Sequence, residues 1–226
     1  VAGVDGLEGA NQVTVSPDGK HLYSAGSTAN AIAVFNRDQT TGEISFLEVH
    51  RDGVSGVDGL DNPSSLSVSP DGKHLYATSA DAHAVVLFSR DTAAGALTYV
   101  THYDQQAGVG GMVGANSIKV SPDGLNVYVA STLSSTLTVF DRDTATGELT
   151  FIERHTDDVG GLPVQLARFS DNYIGDDGHG FELAGNLISS QQGTGNGIVR
   201  IWQITEDNTL QHLKDIASPH STAGSS

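Results

Sequence analysis

The chain has no cysteine, which excludes disulfides, zinc-thiolate centres and cysteine nucleophiles and leaves the redox compartment undefined. It is poor in positive charge: 11 Lys and Arg stand against 27 Asp and Glu, a formal net charge of -16. Such a balance repels phosphate backbones and anionic lipid surfaces, so nucleic acid is not expected as a partner. No apolar run approaches the roughly 20 residues that cross a bilayer as a helix, and no membrane insertion is expected. Apolar residues at helical spacing are missing too. The chain starts at Val1 rather than Met, which fits either a mature form after signal removal or an excerpt of something longer. Acidity, small residues and Asn/Asp/Gly loops suit a secreted or periplasmic protein.

What is there in quantity is repetition. "VSPDGKHLY" occurs at 15-23 and again at 68-76, and "VSPDGLNVY" at 120-128. Ser16, Ser69 and Ser121 open the copies, 53 and 52 residues apart. The flanks repeat as well, in "AIAVFNRDQTTGEISF", "AVVLFSRDTAAGALTY" and "TLTVFDRDTATGELTF". A period near fifty residues marks a solenoid, propeller or array. Within a unit, short alternating runs of β-branched and aromatic residues are bounded by turn signals, which predicts antiparallel strands. Ser16-Pro17-Asp18-Gly19 carries Ser, Pro and Gly where a type I turn wants them, so it reads as the connector of the first hairpin. The glycines of "RDxxxGxLxF", Gly42, Gly95 and Gly147, join the third strand to the fourth. Four strands in a meander, apolar on both faces, predict an all-β propeller of four-stranded antiparallel blades, four of them in this chain. The blades fall at about 11-50, 64-103, 116-155 and 164-216 in a single domain spanning 1-217, with a disordered tail at 218-226. A closed four-bladed ring, or a homo-oligomer built from it, is expected.

The repeated "VSPDGKHLY…AIAVFxRDxxTGxLxF" resembles the YVTN-type and lactonase-like propeller repeats of bacterial secreted proteins, over residues 1-162. The resemblance implies a hydrolytic site on the channel face, built from His, Glu and Arg near the starts of the inner strands. The matching positions are Asn11-Gln12, Ser64-Ser65, Asn116-Ser117 and Val164-Gln165, which offer neither a general base nor a cationic clamp. No "GxSxG" elbow occurs. His21 and His74 recur after the turn, and His50, His102 and His155 near the end of the outer strand, one per blade and therefore apart.

The fourth unit departs from the pattern. Its first-hairpin turn is replaced by "DNYIGDDGHGFELAG" at 171-185, an insertion of the kind that adds function to a scaffold at little cost. Asp171, Asp176, Asp177 and Glu182 could supply oxygens to a calcium-like divalent cation. Tyr173 and His179 stand among them, and Trp202 takes the place of Phe35, Phe88 and Phe140. The loops "GVDGLEGAN", "GVDGLDNPS", "GVGGMVGAN" and "DVGGLPV" precede the first strands, and their Val, Leu and Met residues read as staples between blades.

With no catalytic residue in evidence, the sequence favours a non-enzymatic binding or interaction module. It would hold a small ligand, lipophilic or polar, or a protein partner on the channel face or at an oligomer contact. Asn11, Asn116, Gln165, Tyr173, His179 and Trp202 are the expected contacts. The alternative is a lactonase-like hydrolase acting on a sugar lactone.

Overall fold

The computed structural model describes residues 3-105 and 109-156 and, beyond them, the strands 186-191, 198-204 and 210-217. Three four-stranded meanders follow one another. The first comprises β1 (Ala10–Val15), β2 (His21–Gly26), β3 (Ala31–Arg37) and β4 (Ile44–Arg51). The second comprises β5 (Pro63–Val68), β6 (His74–Ser79), β7 (Ala84–Arg90) and β8 (Leu97–Tyr103). The third comprises β9 (Ala115–Val120), β10 (Asn126–Ser131), β11 (Thr136–Arg142) and β12 (Leu149–Thr156). In each, sequence neighbours are sheet neighbours and pair antiparallel. A fourth sheet holds β13 (Asn186–Gln191), β14 (Ile198–Ile204) and β15 (Leu210–Ala217). The run at 164-170 expected as its first strand lies outside the described residues.

The turns form as their residues dictate. Gly19 donates its amide to Ser16 O at 2.8 Å and has φ +71, and Gly72 and Gly124 repeat both features. Asp38, Asp91 and Asp143 each accept two backbone amides inside the next hairpin, which closes on a glycine with positive φ. Those amides hold the three carboxyls below the usual carboxylate range.

The third strands read as continuous apolar runs because both faces are covered. Val86 and Phe88 of β7 pack toward the first blade with Tyr23, Ile32, Val34, Leu66, Leu75 and Leu97. Val85 and Leu87 of the same strand pack toward the third blade with Ile118, Val120, Val127, Phe140 and Leu149. Period-two alternation thus splits one strand between two cores. The loop residues expected as staples enter these cores: Val57 and Leu60 in the first, Val109 and Met112 in the second. First strands of successive blades, β1, β5 and β9, lie beside one another, which places them on the inner side of the arc.

Among the described residues nothing closes the four-bladed ring. Closure would bury the outer face of the first blade, yet Val13 is 59% and Ile44 52% exposed.

Candidate functional site

Two constellations of polar side chains recur from blade to blade, and they do different work. The first is built on the nine-residue motif. Arg90, at the end of β7, reaches back to the first blade. Its Nε donates to Tyr23 Oη, and its Nη2 lies 3.0 Å from Asp18 Oδ2 and 2.7 Å from His21 Nδ1. Its Nη1 donates to Gly72 O at 2.8 Å, and Tyr23 Oη donates in turn to Gly95 O at 3.0 Å. Arg142 repeats this with Tyr76 (2.9 Å), Asp71 (2.9 Å), His74 (2.6 Å) and Gly124 O (2.8 Å). The guanidinium side chains are 1% exposed.

The electrostatics follow from burial. His21 and His74 are held below the ordinary histidine value, first by burial and then by repulsion from the neighbouring guanidinium. A neutral imidazole can accept a hydrogen bond from the Arg N–H through Nδ1. Burial alone would raise Asp71, but hydrogen bonds from Ser69 and the Lys73 amide, with Arg142, outweigh it and bring the carboxyl to about 2. Asp18 shifts further in the same direction for the same reasons. Arg, His, Asp and Tyr within bonding distance look like a catalytic set. Their repetition at both described blade contacts, with the guanidinium, imidazole and phenol buried and only the carboxylate reaching solvent, makes them a latch between blades.

The second constellation lies at the opposite end of the strands. There the start of each inner strand pairs with the end of the second: Ala10 with Gly26, Pro63 with Ser79, Ala115 with Ser131. Much of the polar ring expected to bind a ligand is used in stitching blades. Gln12 clasps the amide and carbonyl of Leu66, and Ser65 and Ser67 accept the amides of Ile118 and Val120. An inner strand is a sheet edge with unpaired backbone groups, and these side chains satisfy them. Ser64 is buried between Thr78 and Ala115 O. Asn11 remains exposed and donates to Pro63 O at 3.3 Å, while Asn116 keeps a buried Oδ1 without a partner.

The same end holds chemistry that the sequence reading passed over, contributed by the neighbouring hairpin rather than by the inner strands. His83 stands in the β6-β7 turn with φ +55, and Asn30 and Ser135 occupy the equivalent places at φ +48 and +51. Asn30 Oδ1 accepts the Asn62 amide at 2.9 Å, and His83 Nδ1 lies 3.1 Å from the Gly114 amide. His83 Nδ1 also lies 2.7 Å from Ala80 O. The two contacts select opposite tautomers, and the shorter one puts the proton on Nδ1, leaving Nε2 an open acceptor. Asp81, exposed in the same turn, accepts from Asn62 Nδ2 at 3.2 Å. An imidazole, a carboxylate and four side-chain amides thus line one end of the arc. The signal in the sequence was the change from Asn30 to His83 at matched turn positions.

The outer-strand histidines also need correction. His50 pairs with Ile32 and His155 with Leu137, but their counterpart opposite Val85 is Tyr103. His102 is one residue out of register and meets Tyr99 Oη at 2.9 Å. Gln165, Tyr173, His179 and the four acidic residues Asp171, Asp176, Asp177 and Glu182 lie outside the described residues. Trp202 pairs with Leu187 as Phe35 pairs with Leu22, the third-strand place expected for it. Among the described residues no group of three His, Cys, Asp or Glu could hold a metal.

Residues 2-113 and 100-163 match the sequence profile of the family described as "Lactonase, 7-bladed beta-propeller". A "Probable 6-phosphogluconolactonase" of Arthroderma benhamiae is 29% identical over 101 residues, 42% of this chain and 24% of that protein. Among solved structures, a proposed 6-phosphogluconolactonase of Bacteroides fragilis is 25% identical, with a TM-score of 0.58 over 67% of this chain and 40% of the other. The periplasmic gluconolactonase PpgL of Pseudomonas aeruginosa shares the fold at 22% identity, TM-score 0.65, over 92% of this chain and 53% of its own. The chain spans about a quarter and two fifths of the length of the first two relatives. The reading as a non-enzymatic binding module is overturned by these likenesses, which fall on proteins named as lactonases. The matched turn and core residues carried fold rather than chemistry, which is why that reading leaned away from an enzyme. By the extent of the match, the chain belongs to the lactonase family of seven-bladed β-propellers.

Proposed function

We propose that this chain is part of a propeller hydrolase that opens the ring of a sugar lactone. The observation that carries the reading is the family match across residues 2-163, and the relatives at 25-29% identity named as 6-phosphogluconolactonases support it. A lactone is a cyclic ester. Its hydrolysis adds a water oxygen to the carbonyl carbon, passes a water proton to a base, and breaks the ring C–O bond as the ring oxygen takes up a proton.

At the described end of the arc, His83 Nε2 is the group suited to accept the proton of water, since an imidazole does so near neutral pH. The Nδ1 contact with Ala80 O at 2.7 Å orients the ring for that role. Asn11, Asn62 and Asn116 offer amides to sugar hydroxyls. Asp81 and the net charge of -16 favour an uncharged lactone over a phosphorylated one. A secreted or periplasmic location is part of the proposal and rests on composition.

The variant that tests the base is His83→Asn, because Asn30 already fills the equivalent turn place and bonds the next blade through its side chain. Turnover of δ-gluconolactone should fall by about 10²–10⁴-fold, the usual share of a general base, with the fold retained. Equal turnover in the variant would remove His83 from the mechanism.

A further inference from the structure

We infer that the face of the third blade turned away from the second carries a binding site for a small guanidinium cation, formed by Asp123, Asn126 and Tyr128. The inference does not depend on the lactone reading. On the first two blades the matching positions hold an arginine from the third strand of the blade that follows. On the third blade the following unit has no arginine to offer at that place.

The register fixes the substitution. Arg90 and Arg142 end their strands opposite Leu97 and Leu149, and the residue that ends β14 opposite Leu210 is Ile204, a residue type with no side-chain hydrogen-bond donor. The glycines against which the His21 and His74 rings lie, Gly95 and Gly147, have no glycine counterpart in residues 205-209 either. On the acceptor side the histidine is replaced: Asn126 stands opposite Asp141, where His21 and His74 stand opposite Asn36 and Ser89. The aspartate and the tyrosine are kept.

The kept groups are set as in the other blades. Asp123 Oδ1 accepts the Ser121 hydroxyl at 2.5 Å and the Leu125 amide at 3.0 Å, as Asp18 accepts from Ser16 and Lys20 and Asp71 from Ser69 and Lys73. Its Oδ2 is the counterpart of the atom that meets Arg90 at 3.0 Å in Asp18 and Arg142 at 2.9 Å in Asp71. Asn126 Nδ2 donates to Phe140 O at 3.3 Å, which assigns the amide, and Asn126 Oδ1 and Tyr128 Oη are buried without a hydrogen-bond partner. The Tyr128 phenol is pushed up first by burial and then by the charges of Asp123 and Glu153, whereas at Tyr23 and Tyr76 an arginine pulls back. Buried oxygens of this kind cost stability until a donor reaches them. Three acceptors, one of them charged, in the places that elsewhere hold a fork of N–H donors, select a planar guanidinium over a point-like ammonium. Of the three residues only Asp123 is exposed, so the ion enters past the carboxylate, which suits a slim, singly substituted guanidinium.

The test is a calorimetric titration of the purified chain with methylguanidinium chloride, with methylammonium chloride as the control, at constant ionic strength. Methylguanidinium should bind at one site per chain and about tenfold or more tightly than methylammonium. Asp123→Asn and Tyr128→Phe should each weaken it by about tenfold, the weight of one hydrogen bond to a charged group. Asp123 is exposed, so its substitution leaves the fold intact. Ile204→Arg places the guanidinium on the chain itself, and it should abolish binding of the free ion and raise the melting temperature. No saturable binding of methylguanidinium, equal binding of the two cations, or undiminished binding in Asp123→Asn would overturn the inference. So would an Ile204→Arg chain that binds the free ion as the parent does.

Discussion

At the scale of single residues, the molecule depends on a guanidinium that no local pattern announces. Arg142 connects Tyr76, Asp71 and His74 across a blade boundary, and its removal would leave the buried His74 Nδ1 without that donor and take one donor each from Tyr76 and Asp71. Breaking one partner from such a set costs about 3–5 kcal/mol. Arg142→Met should therefore lower the unfolding free energy by about that amount in a denaturant titration. Arg142→Lys should rescue little, because a single ammonium cannot reach three acceptors in a fork. The sequence displayed the turn role of the motif plainly, since Pro17 and Gly19 act on their neighbours. The latch role was not legible, because Arg90 lies 69 positions from His21 and no short-range rule links them.

The same residues set the response to acid. The folded-state values of His21 and His74 lie below the ordinary 6.5, so below that pH the unfolded chain takes up protons that the folded chain refuses. Their contribution is complete above 6.5 and is lost as the pH falls from there toward the folded values. Asp71, at about 2 against 3.8, adds a second loss that begins below 3.8, and Asp18 shifts the same way. The denaturation midpoint should be flat near neutrality and fall in two stages. A His21→Asn, His74→Asn double variant should flatten the first stage relative to the parent while keeping the second. Asn126 shows that asparagine fits this place in the third blade. An unchanged first stage would assign it to the other histidines.

At the scale of the element, the blade was the most legible feature, because strand alternation and turn chemistry are local and were written three times. Even there, one shifted residue misled: His102 sits beside the position of His50 and His155 rather than at it. Side-chain period two makes such a slip a change of face. The turn glycines separate local from tertiary demands. Gly42 and Gly95 have φ of +78 and +76, but only Gly95 lies against a histidine ring. Gly42→Ala should cost about 1–2 kcal/mol for the left-handed backbone alone. Gly95→Ala should cost more than that, since the added methyl displaces His21 from Arg90. Equal losses in thermal unfolding would deny the contact any weight.

At the scale of the whole molecule, an array of blades was legible and its closure was not. The period counts units, but whether a ring shuts depends on which faces remain bare, and Val13 and Val15 look like core residues in the sequence whether or not anything covers them. Function was the least legible. Gln12 and Ser65, at inner-strand positions that the family resemblance singles out, stitch one blade to the next, while His83, the proposed base, arrives from a turn whose counterparts are Asn30 and Ser135. A repeat reading averages over units, and the proposed base sits where one unit differs.

The central proposal, that this chain is part of a lactone hydrolase, is tested most directly by following acid release from δ-gluconolactone with the purified chain and its His83→Asn variant at constant pH. The account predicts turnover well above the spontaneous rate in the parent and its collapse in a variant that remains folded. Acid release at the spontaneous rate in both, from chains with intact blades, would contradict it.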